Sequence, residues 1–266
     1  MAKLASFWYG DTLGEIEQAS IASFMNTGDQ ITIYSTEPIK NLPNGAVNED
    51  ASLIFPSDPI VLHKKTKSPA LHSDLFRYAL LSQTDEIWVD LDILALRSFD
   101  NAPDYFIGWE DKHTLNGAVL RLPKTSSALQ ALSRYGPTSH GVPPIPNLRG
   151  FRKIKYSMRA RFTRYTVDQW TWGALGPLGL TYHMQETEED KFALPISAFY
   201  HVPLHQTHLF ALDDAIKISE IPDNAWALHL WGSRLRKILL EDYDGRLPSK
   251  CFVNKFAYEN ILEPPA

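Results

Sequence analysis

A chain of 266 residues with 44% hydrophobic and 21% charged side chains can bury a sizeable core, and its net charge of -5 excludes a generally basic nucleic-acid binder. The single cysteine, Cys251, cannot form an internal disulfide, no apolar run reaches membrane-spanning length, and the opening residues lack a signal-like apolar stretch. A cytosolic protein is therefore expected, one that touches a membrane at most peripherally.

Residues 5–9 read as a first strand, ended by Gly10 and Asp11. Residues 13–25 follow as a helix, with Leu13, Ile16, Ile21, Phe24 and Met25 at helical spacing, and residues 30–35 alternate as a second strand. A β-α-β opening predicts a parallel sheet with crossover helices, a fold that binds ligands beyond the carboxyl ends of its strands. Pro38, Pro43, Pro56, Pro59 and Pro69 mark residues 36–69 as irregular. Residues 68–81 then read as a helix that places Asp74 and Arg77 three apart on one side, which alone suggests a surface ion pair.

Residues 86–96 are the most informative stretch. Glu86, Ile87, Trp88 and Val89 run into a core as a strand, and Asp90 and Asp92 interrupt it before Ile93 and Leu94 resume. Carboxylates are rarely buried without partners, and alternation puts these two on the same side of an extended chain. Two such oxygen donors suit a hard divalent cation, Mn2+ or Mg2+, which in turn would hold a phosphate-bearing ligand. The plainer alternative is a strand end whose aspartate caps the next turn.

Residues 105–109 and 116–122 read as further strands, and residues 126–135 as a short helix. Between Lys112 and Val167 there is no acidic residue but eleven basic ones. Seven of these (Arg149, Arg152, Lys153, Lys155, Arg159, Arg161 and Arg164) crowd into residues 149–164, after the proline-rich residues 143–146. So one-sided a run points to an anion: a diphosphate, an acidic glycan or a lipid surface. Residues 166–175 read as helical until Gly176-Pro177 ends them, and residues 192–202 as strand and loop. Residues 224–232 read as a last strand bearing His229 and Trp231, with Ser233 as N-cap of a helix over 234–240.

Five pieces occur in one order: Ser73-Asp-Leu-Phe-Arg77, Trp88-Val-Asp-Leu-Asp92, Asn116-Gly-Ala118, Trp172-Gly-Ala-Leu-Gly-Pro177 and His229-Leu-Trp231. The set resembles the D-x-D glycosyltransferases of family 32, although Asp85-Glu-Ile-Trp88 stands where that family usually carries Gly-Gly-x-Tyr. The resemblance implies a GT-A fold: an α/β, Rossmann-like, mainly parallel mixed sheet flanked by helices. It implies one such domain over residues 1–266, with the basic insertion at 137–166 on the acceptor side. The implied reaction is metal-dependent retaining transfer of a hexose from a nucleotide sugar, UDP-sugar favoured, to a glycan or lipid-linked acceptor. Asp90 and Asp92 match the donor and metal positions, with His229 as a late metal or diphosphate ligand. Asp74 and Arg77, and the segment Asn116, Gly117 and Ala118, match donor-binding positions. Asn116, Asp168 and Gln169 are candidates for the catalytic place beneath the sugar. Two rivals stand beside this reading: a glycan-binding relative without turnover, and a D-x-D phosphatase with Asp90 as nucleophile, which Leu94 and the late position of the motif disfavour.

Overall fold

In the computed structural model, which describes residues 1–258, strand β1 (Lys3–Trp8) lies inside a six-stranded sheet. β2 (Gln30–Ser35) and β3 (Val47–Asp50) extend the sheet on one side of β1, and β4 (Ile87–Val89) lies on the other. These four strands are parallel. Beyond β4 come β7 (Leu115–Arg121) and β6 (Phe106–Trp109), and β7 runs antiparallel to both of its neighbours. A separate two-stranded ribbon pairs β5 (Ile93–Ala95) with β8 (Ala227–His229). The mixed, mainly parallel α/β sheet expected from the sequence is present.

Alternation along the strands divides the core in two. Leu4, Ile33, Ile87, Val89 and Val119 face one side, where α1 (Glu15–Asn26) and α7 (Phe252–Tyr258) pack. Ala5, Phe7, Trp88, Ile107 and Leu120 face the other, against α2 (Ala70–Gln83), α3 (Ser127–Leu132) and α5 (Pro177–Glu186). Side chains two apart on a strand share a face. α4 (Gly150–Phe162) buries none of its residues, whereas α6 (Gly232–Asp242) buries Leu235, Ile238 and Leu239. No helix among the described residues is long and apolar enough to cross a membrane.

Several expectations need correction. The stretch 86–96 is two strands, β4 and β5, with Asp90-Leu91-Asp92 as the hand-over from sheet to ribbon. Asp90 N–H donates to Ala118 O at 2.7 Å, and Leu230 N–H to Asp92 O at 2.8 Å, so each aspartate ends or begins a ladder. β3 falls within the stretch expected to be irregular. Gly176-Pro177 starts α5 rather than ending a helix, because proline suits the first helical position, where no N–H bond is needed. Before it, only a 3-10 turn over Val167–Gln169 forms. Likewise residues 192–202 hold a 3-10 turn at Ile196–Ala198, just after another at Asp190–Phe192, instead of a strand.

Candidate functional site

Chain direction places a cleft at the carboxyl ends of β1 and β4. From β1 the chain moves outward through β2 and β3, then returns to β4 on the other side. Such a reversal opens a crevice at the strand ends, the usual ligand site of open α/β sheets. Here the crevice is a cleft of about 580 Å³ lined by Trp8, Tyr9, Glu17, Arg77, Asp90, Asp92, Trp172 and Arg236, among others.

Asp90 enters this cleft fixed from two sides. Trp88, two residues earlier on the same face, donates its indole Nε1–H to Asp90 Oδ1 at 2.7 Å. Arg77 donates to the same oxygen at 3.2 Å, and its other terminal nitrogen donates to the Gly117 carbonyl at 3.0 Å. Asp74 lies 3.4 Å from that guanidinium. The expected surface ion pair is thus part of a half-buried triad centred on buried Arg77, because α2 turns Arg77 inward over the Trp88 ring, 4.9 Å from its centroid. Burial raises the Asp90 carboxyl above its ordinary range, with Arg77 opposing and Asp92 adding to the rise. Burial also lifts Asp74 to about 6 despite Arg77.

Asp92 is held differently. Its Oδ2 accepts the Gly232 N–H at 2.7 Å and faces His229 Nε2 at 3.5 Å. His229 arrives there because β8 pairs it with Ile93, the residue after Asp92. A carboxylate at the first N–H of α6 meets the positive end of that helix. Burial alone would raise the Asp92 carboxyl, but His229 and the Gly232 N–H outweigh it and lower it to about 2. The same pairing raises His229 in spite of its burial. Ser233, expected as the cap, sits within the first turn of α6; the distant Asp92 takes its place.

Three glycines allow these approaches. A Cβ on Gly117 would lie 2.8 Å from an Arg77 nitrogen, one on Gly176 3.0 Å from an Asp74 oxygen, and one on Gly232 2.9 Å from Asp92 Cβ. Each belongs to, or directly follows, a motif picked out in the sequence. Their shared purpose is to let backbone pass close behind the site's charged side chains.

Asn116, Gly117, Ala118, Asp168 and Gln169 fall outside the cleft lining. Asn116 is engaged in β7, its amide donating to Glu110 at 2.8 Å and its Oδ1 accepting the Ala118 N–H. Gly117 and Ala118 contribute backbone carbonyls, with the Ala118 side chain in the core. Asp168 is neutralised by Lys64 at 3.2 Å and accepts from Thr166. Gln169 lines a second cavity of about 640 Å³, along with Lys64, Lys65, Lys155, Tyr156, Arg159 and Tyr165. Trp170 and Trp231 are core residues with bonded indoles. Trp172, in contrast, is 51% exposed and lines both this cavity and the carboxylate cleft.

Sequence reading missed Glu17, a buried acid on α1 paired with Arg236 of α6. Burial raises its carboxyl, against the pull of Arg236. The signal was available: Glu17 stands four after Leu13 and four before Ile21, inside the apolar stripe.

Among the described residues no three His, Cys, Asp or Glu side chains are grouped so as to hold a metal ion. A hard cation that shares its shell with a substrate diphosphate needs only one or two protein carboxylates. Asp92 Oδ2 and His229 Nε2 point at each other across 3.5 Å, and Arg77 and Trp88 both use Asp90 Oδ1 rather than Oδ2. The two carboxylates, without a third protein ligand, are what this cleft offers such an ion. No family model matches the chain, and no curated protein does.

Proposed function

We propose that the chain is a metal-dependent retaining glycosyltransferase of the GT-A fold, similar to the D-x-D enzymes of family 32, acting on a nucleotide sugar, UDP-sugar favoured. The observation that carries this is the crowding of carboxylates at the switch point between β1 and β4. Glu17, Asp74, Asp90 and Asp92 outnumber Arg77 and Arg236 there, and both arginines are already paired. A diphosphate entering alone would be repelled. One arriving with Mn2+ or Mg2+ would be drawn in, with the Asp90 and Asp92 carboxylates to hold the ion and His229, beside Asp92, toward the diphosphate. Such an ion would act as a Lewis acid, offsetting the charge that develops on the departing nucleoside diphosphate.

The chain's own residues have distinct parts in this reading. Arg77 and Trp88 fix the Asp90 carboxylate in one orientation, so that it need not reorganise when ligand arrives. Trp8 and Tyr9, at the carboxyl end of β1, supply aromatic surface for the base. Trp172 stands between the cleft and the basic cavity, where donor sugar and acceptor would meet, and the cavity's lysines and Arg159 suit an anionic glycan or lipid-linked acceptor. Of the residues considered for the place beneath the sugar, neither Asn116, Asp168 nor Gln169 lines the cleft.

Melting the protein with UDP, GDP, CMP or dTDP, each with Mn2+ and with chelator, tests the reading. A ligand bound only by the folded state raises the melting temperature by mass action. A metal-dependent rise with one nucleotide supports a transferase and names its donor class. No rise with any of them would favour a glycan-binding protein without a donor site.

A further inference from the structure

α4 carries a strongly one-sided exposed surface. None of its residues is buried, yet Phe151, Ile154, Met158 and Phe162 are 90%, 54%, 55% and 73% exposed. At 100° per residue these four fall within an arc of about 80°, a single narrow stripe. The same geometry puts Arg152, Lys155 and Arg159 along one edge of the stripe and Arg161 along the other. On the opposite side, Tyr156 stacks on Tyr165, with ring centroids 6.1 Å apart, and attaches the helix to the body.

We infer that α4 is an in-plane anchor that seats the protein on an anionic lipid bilayer. An apolar stripe with cations along both edges is what an interfacial helix needs: its apolar side enters the acyl boundary while its basic edges meet phosphate headgroups. A second copy of this chain is a poor occupant. An interface symmetric about the stripe would bring the seven cations of residues 149–164 against seven more, with no acidic residue among them. Docking here also has a consequence for the second cavity. Lys155 and Arg159 line it and edge the stripe as well, so a bilayer under α4 lies beside the cavity mouth. Only this last consequence, a membrane-resident acceptor, rests on the transferase reading.

The test is co-sedimentation of the full chain with vesicles of phosphatidylcholine alone and of equimolar phosphatidylcholine and phosphatidylglycerol, read separately from nucleotide binding. Wild type should sediment with the anionic vesicles only, and less so as salt is raised. Phe151→Ser with Phe162→Ser should weaken that binding about tenfold or more, as should Arg152→Gln with Arg161→Gln. Ile154→Ser with Met158→Ser is the second apolar pair, should the first melt early. The inference is overturned by failure to bind anionic vesicles, by equal binding to both compositions, or by apolar-stripe variants that bind like wild type. A concentration-dependent dimer that the apolar substitutions abolish would overturn it too.

Discussion

The Asp92 carboxylate accepts the Gly232 N–H at 2.7 Å across 140 positions of sequence. This bond joins the end of the parallel sheet to the first turn of α6, and it works only because position 232 lacks a side chain. With a methyl group there, Asp92 Cβ and Oδ2 would each lie 2.9 Å away. Gly232→Ala should destabilise the protein by about 1–3 kcal/mol, as overpacking does, and should weaken Mn2+-dependent nucleotide binding. Gly136→Ala, where an added Cβ meets nothing within 4 Å, is the control and should leave both unchanged. Chemical denaturation of the two variants decides it; equal stabilities would dismiss the contact.

Arg77 is the only cation in contact with both Asp74 and Asp90 among the described ion pairs. Arg77→Met would leave two half-buried carboxylates and the Gly117 carbonyl without their buried partner. Removing one partner of a buried pair costs about 3–5 kcal/mol, far more than an exposed pair contributes. Urea denaturation at neutral pH should show a loss of that size. A loss below about 1 kcal/mol would mean that the triad is hydrated and weak.

The sheet could be anticipated where apolar period and chain order agreed: β1, α1, β2 and α2 lie within a few residues of their expected places. β3 was invisible because Val-Asn-Glu-Asp has no apolar face to bury at a sheet edge. α5 was hidden by reading Gly176-Pro177 as a stop, when the same pair opens a helix. Within the site, Asp90 and Asp92 stood out as polar residues in an apolar run. Of the partners that define their chemistry, His229 was marked only by the family resemblance, and the Gly232 N–H not at all, since both reach Asp92 only through tertiary folding. Glu17 obeyed the same rule as the aspartates but hid inside a helix, where one acid in an apolar stripe is easily assigned to the solvent side.

Asp92→Asn separates structure from charge. The amide oxygen can still accept the Gly232 N–H, so the fold should survive with a melting temperature within a few degrees of wild type, roughly what loss of about 1 kcal/mol produces. The anionic donor facing His229 is gone, however. If the carboxylate holds the ion, Mn2+-dependent nucleotide binding should fall at least about a hundredfold, since even residues that only support metal ligands are worth 10- to 100-fold. Titration calorimetry with UDP and Mn2+ measures this. Unchanged affinity in a folded Asp92→Asn protein would remove Asp92 from the metal reading and leave it as the cap of α6.

Asp74 gives the opposite sign of pH dependence from a conventional ion-paired carboxylate. Burial raises it from an ordinary value of 3.8 to about 6, so the folded protein holds its proton more tightly than the unfolded chain does. Between those values the native state binds more protons, and stability falls as pH rises through the window. Below 3.8 both states are protonated and no penalty exists; above 6 the penalty is complete. A shift of this size corresponds to about 3 kcal/mol as an upper figure. Asp74→Asn, which is neutral at every pH, should therefore stabilise the protein by about 1–3 kcal/mol at pH 8 and by almost nothing at pH 4. Urea denaturation at the two pH values, with wild type alongside, reads the difference directly. A gain that is the same at both would mean that Asp74 is not the titrating group, and a loss at pH 8 would mean that its bond with Arg77 outweighs the cost of burying its charge.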